Sequence, residues 1–172
     1  MKRSPSLWRL CALALLFTAG CAGYHLGPTA GQVAGARSIQ IAPFVNRTLE
    51  PRLSQYVMMS LRKNLMQDGT YRLDTHDEGD VILTGEIKTY QRNGLSFQPT
   101  DVLTVLDYEI TMTAQITARE RNTGKVIFDK AVIGKTTLRA GPDLTSAERQ
   151  AIPLLTDDLA KKTTALLVEG NW

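Results

Sequence analysis

The chain has 172 residues, 22% of them charged, with 20 Lys and Arg against 17 Asp and Glu for a net charge of +3. That length carries a single domain with a substantial core. Two cysteines and two histidines exclude a disulfide-rich scaffold and leave little material for thiol, imidazole or zinc chemistry.

In chain order, Lys2, Arg3 and Arg9 flank an apolar run from Leu10 to Phe17, and Thr18-Ala19-Gly20-Cys21 follows. This reads as a bacterial export signal over residues 1–20 ending in a lipoprotein box, in which the Cys21 thiol accepts a diacylglycerol. The run is much shorter than the roughly 20 apolar residues a membrane-crossing helix needs. An ordinary secretory signal cleaved near Ala19 and a buried helix are the competing readings. Ala22, rather than aspartate, follows the cysteine, and in the lipoprotein class that implies sorting to the outer membrane. Each buried methylene of an acyl chain contributes about 0.8 kcal/mol, so two or more chains make a lasting anchor. Loss of residues 1–20 removes Lys2, Arg3 and Arg9 and no acid, so 172 − 20 = 152 residues remain and the charge falls from +3 to 0. A neutral domain gives no reason to expect a nucleic-acid partner. Cys11 leaves with the signal, and no thiol remains for a disulfide or a metal.

Residues 21–36 are rich in glycine and alanine without helical or strand periodicity, which predicts a flexible tether, and residues 37–172 then form the single folded domain. Ile39 and Ile41 alternate with Ser38, Gln40 and Ala42 as in a half-buried strand, and Pro43 limits its pairing. Asn46 and Thr48 supply side-chain oxygens suited to a helix start, with Glu50 and Pro51 in the first turn. Leu53, Tyr56, Val57, Leu61 and Leu65 recur at helical spacing up to Asp68-Gly69. A short strand from Tyr71 to Asp74 and a polar turn precede a strand with Val81, Leu83 and Ile87 on one face. Arg92 to Thr104 reads as a loop that either meets a partner or folds over the core. From Tyr108 to Arg119 every second residue is apolar, which gives one buried face and one face open to water or a polar partner. Arg121-Asn122-Thr123-Gly124 is a hairpin turn, and Val126 to Lys135 returns. Thr145-Ser146-Ala147-Glu148 matches a capping box, and Ile152, Leu155, Leu159 and Leu166 continue a last helix that Pro153 either kinks or divides. The order predicts an α+β fold: a two-layer sandwich of a mostly antiparallel four-stranded sheet with two helices on one face.

His76 among Asp74, Asp77, Glu78 and Asp80 is better explained as a solvated turn than as a metal or acid–base site. With no Gly-rich phosphate loop, His-Glu helix motif or cysteine cluster in the sequence, neither a cofactor nor a metal is expected and the chain is not read as an enzyme. Arg92, Arg119, Arg121, Lys125, Lys130, Lys135 and Arg139 lie near strand ends and in loops. Gathered at one tip they would pair with phosphates; scattered, they are ordinary solvated or edge-protecting charges.

Cys21-Ala22-Gly23-Tyr24-His25-Leu26, Ile39 to Thr48, the helix with Leu53 and Leu65, Gly79 to Gly85, Leu95-Ser96-Phe97, and the Tyr108 strand ending in Asn122-Thr123-Gly124 before Phe128 together resemble the LptE family of lipopolysaccharide-assembly lipoproteins. The resemblance implies an outer-membrane, lipid-anchored, periplasm-facing subunit that plugs the lumen of a large β-barrel, LptD, assists its assembly and contacts lipopolysaccharide. It implies lipid contacts on basic residues near the sheet tips, for which Arg92, Lys130, Lys135 and Arg139 are the positional candidates. A lipoprotein of a periplasmic lipid-transport or envelope scaffold complex is the alternative.

Overall fold

The computed structural model describes residues 35–169, with the side chain of Val102 excepted. The export signal, Cys21 and all but the end of the tether lie outside the described residues.

Six strands and two helices follow the order β1 (Arg37–Ile41), β2 (Val45–Asn46), α1 (Leu53–Asp68), β3 (Tyr71–Asp74), β4 (Val81–Gln98), β5 (Asp101–Glu120), β6 (Val126–Arg139) and α2 (Leu144–Glu169). The sheet order is β3-β1-β4-β5-β6, with β2 also on β4. The fold is α+β, but the sheet has six strands rather than four and is mixed rather than mostly antiparallel. β1 pairs in parallel with β3 and β4, and β2 is parallel to β4, whereas β4–β5 and β5–β6 are antiparallel. The cause is connectivity. Between β1 and β3 the chain crosses the sheet as α1, a connection that delivers parallel strands, while tight hairpins join the last three. Pro43 splits the first strand as its missing N–H requires. Ala42 still donates to the Leu83 carbonyl, and pairing resumes at Val45 opposite Glu86.

The β5 alternation is realised: Ile110, Met112, Ala114, Ile116 and Ala118 are wholly buried. With Ile39, Leu83 and Ile87 they form one core against Leu53, Val57, Leu61 and Leu65 of α1 and Leu155, Leu159 and Leu167 of α2. Each leucine, isoleucine, valine or methionine among them contributes about 1.5–3 kcal/mol on burial. Both helices cover the same sheet face and run in the same direction, Ser60 meeting Thr156, Asn64 meeting Asp157, and the Tyr71 hydroxyl the Leu167 carbonyl beyond α1. At Gly134 the helix sits almost on the strand. A Cβ there would lie 2.8 Å from both the Leu155 carbonyl oxygen and the Leu159 Cβ, so only glycine admits this approach.

Two predicted helix starts differ in detail. Asn46 Oδ1 accepts from the Thr48 amide and hydroxyl, and Thr48 Oγ1 accepts from the Glu50 amide, so these residues shape the turn before α1. The helix itself opens at Arg52, whose φ of 64° is left-handed and whose side chain caps nothing. At α2, Asp143 rather than Thr145 takes the free amide, accepting from Ser146 N–H at 3.1 Å. Pro153 lies inside one continuous helix. The 121–124 turn closes as expected, Gly124 having φ 69°.

Candidate interaction face

The sheet face opposite the helices carries no second layer among the described residues. β5 presents Glu109, Thr111, Thr113, Gln115 and Thr117 there, all partly exposed, between Thr84 and Gln91 of β4 and Asp129, Lys135 and Thr137 of β6. Its polar groups bond laterally. Gln115 Nε2 donates to Asp129 Oδ1 at 2.5 Å, the Thr117 hydroxyl to the same oxygen at 3.1 Å, and the Thr84 hydroxyl to the Thr117 carbonyl at 3.3 Å. Glu86 accepts from Lys88 and from Arg47, which hold its carboxyl below the usual carboxylate range in that order of strength. A hydroxyl- and amide-rich plane of this kind suits a wet, polar counterpart.

The four cationic candidates divide between the two faces. Lys135 and Arg139 share the outward face, with Lys135 Nζ 3.7 Å from Glu109 Oε1 and Arg139 Nε 3.9 Å from Asp107 Oδ1. These are long, exposed pairs that leave most donors free. Arg92 pairs in register with Ile110 and therefore lies on the helix side, donating to Glu148 Oε2 at 2.8 Å with its guanidinium 5.4 Å from the Tyr108 ring centroid. Lys130, opposite Ile116, is also on the helix side, at the β6 edge, 6.0 Å from the Phe128 ring centroid. The fold thus unites Lys135 and Arg139 and separates Arg92 and Lys130 from them and from each other. Arg119 and Arg121 serve turns, donating to the carbonyls of Gly124 and Gly79.

The segment read as a loop from Arg92 to Thr104 is the far end of the β4–β5 hairpin. It does not fold over the core: Leu95, Phe97 and Leu103 are 57%, 48% and 88% exposed. Around His76 the acids serve the backbone. Asp74 Oδ2 accepts the Glu78 amide at 2.7 Å, Asp77 accepts from Gln40, and Asp80 takes both the amide and the hydroxyl of Ser38, whose hydrogen bonds hold its carboxyl below the usual range. The sequence reading missed Glu148, which it placed in a capping box. No local pattern marks it, because its partners Tyr90 and Arg92 lie 58 and 56 residues away.

A family model for LptE, lipopolysaccharide-assembly, matches residues 36–165, from the edge of β1 into α2. The chain belongs to the LptE family. No curated protein matches it significantly. Among solved structures it is similar to a protein from Xanthomonas campestris, with a TM-score of 0.59 at 9% identity over 84% of this chain and 91% of that one. It is also similar to a hypothetical protein from Chlamydia trachomatis, with a TM-score of 0.57 at 12% identity over 77% of this chain and 96% of the other. These likenesses establish the fold that this LptE family member shares. None of its described helices is long and apolar enough to cross a membrane.

Proposed function

We propose that this is a non-enzymatic lipoprotein, anchored through Cys21 in the outer membrane and facing the periplasm, that plugs and helps assemble an LptD-like β-barrel and aids lipopolysaccharide transport to the cell surface. Membership of the lipopolysaccharide-assembly family supports the general role. The observation that carries the plug reading is the uncovered polar face of β4, β5 and β6. Barrel interiors are polar and wet, so a plane made mainly of hydroxyls, amides and paired charges can line one, with Ile133 an exposed apolar exception on it. Lys135 and Arg139 on that face are the first contacts for the phosphates of lipopolysaccharide, arginine through its planar fork and lysine as a point charge. Arg92 and Lys130 are contacts from the helix side.

Copurification of the tagged full-length protein from detergent-solubilised outer membrane tests the reading. The expected result is recovery with a single large β-barrel protein. Recovery with no barrel overturns the plug, and recovery with an inner-membrane transporter moves the protein to a lipid-transport scaffold.

A further inference from the structure

Glu148 projects from the first turns of α2 onto the β4–β5 ladder at the level where the core ends. Its Oε1 accepts from the Tyr90 hydroxyl at 2.6 Å and its Oε2 from Arg92 Nη1 at 2.8 Å, and its side chain is only 16% exposed. Ile110, opposite Arg92, is the last wholly buried residue of β5 towards the hairpin tip among those whose side chains are described. A second carboxylate, Glu50, stands near enough that burial first and Glu148 second raise its proton affinity above the usual carboxylate range. An anion approaching Arg92 therefore meets one carboxylate already in place and a second in the neighbourhood.

A carboxylate oxygen on a guanidinium N–H is the contact a phosphate oxygen would make, charge-assisted and short. We propose that Glu148 is an internal competitor for the anionic ligand: it occupies Arg92 in the free protein, and a phosphate of lipopolysaccharide must displace it to engage that arginine. The proposal rests on Arg92 being a lipopolysaccharide contact, and it adds the regulation of that contact. The other basic residues show the contrast. Lys135 and Arg139 keep acid partners at 3.7 and 3.9 Å and are 54% and 80% exposed, so an anion reaches them with no displacement. Arg92 engages second, and its release removes one of the two ties between the start of α2 and β4 while Tyr90 keeps its bond to Glu148.

The test is the affinity of the full-length protein, in detergent micelles, for purified lipopolysaccharide. Glu148→Gln retains an acceptor for Tyr90 but drops the charge, and it is expected to bind about tenfold more tightly than wild type. Arg92→Gln alone is expected to weaken binding only slightly, because displacing Glu148 offsets most of what the arginine contact contributes, and the double variant R92Q/E148Q is expected to show no gain over Arg92→Gln. Glu148→Asp, which keeps the charge but shortens the reach to Arg92, gives a second measure with a gain of the same sign. Equal or weaker binding by both Glu148 variants, or a gain that persists without Arg92, overturns the competitor. If binding is indifferent to Glu148 yet lost in K135E/R139E, the lipopolysaccharide reading stands and the competitor alone falls. Absence of binding in every variant overturns both.

Discussion

The two halves of the β4–β5 ladder obey different rules. From Val81 opposite Glu120 to Ile87 opposite Ala114 the pairing keeps one register, but between Gly94 and Gln98 it shifts three times. The near half lies over the helices, and a slip of one residue there would turn Leu83, Ile87, Ile116 and Ala118 out of the core. Among the described residues no layer covers the far half, and Leu95, Phe97 and Leu103 meet solvent. Burial, more than the ladder's own hydrogen bonds, fixes which residue faces which. Where burial stops, irregular pairing is tolerated, and apolar side chains become available to something outside the domain.

Ile110→Ala attacks the near half at its boundary. It removes a side chain with no exposed surface, and the expected loss is about 3 kcal/mol, measured by urea denaturation. Asp157→Asn asks how much of the helix pair over that half depends on charge. The Asp157 carboxylate accepts from Lys161, Asn64 and Lys63, which hold its pKa at about 2 against an ordinary 3.8. Because the folded value is depressed, its contribution is complete above roughly pH 4 and fades as the pH falls towards 2. The variant is expected to be about 1 kcal/mol less stable at pH 7, with the two melting curves converging near pH 2. Leu103→Ala is the opposite limit. It trims an 88% exposed side chain in the far half, and stability is expected to stay within about 0.5 kcal/mol of wild type. A loss comparable to that of Ile110→Ala would mean that the tip is packed in the free protein and would end the comparison.

What could be read from the sequence follows the range of the forces involved. The period-two pattern of β5, the Arg121–Gly124 turn and the apolar stripes of both helices are local signals, and each appears where expected. The parallel placement of β1 beside β3 and β4 is non-local, set by where α1 lands, and two isoleucines in a short strand say nothing about their neighbours. The helix starts went astray because Asn46, Thr48 and Glu148 have chemistry that serves several partners, and the competing partner won in each case. Of the cationic candidates, Lys135 and Arg139 share strand and parity and therefore a face. Which face Arg92 takes could not be read, because the shift between Ile87 and Thr89 changes which β4 residues face the helices, and no periodicity announces that shift.

At the open side of β6 the Lys135 amide donates to Asp158 and the Ile133 carbonyl accepts from Lys162, both on α2. Those two groups are what an incoming strand would need in order to zip onto the sheet. Asp158 and Lys162 thus occupy the middle of the β6 edge, where a copy of this sheet would otherwise pair. A strand arriving at this point of the edge would first have to displace two α2 side chains from the backbone.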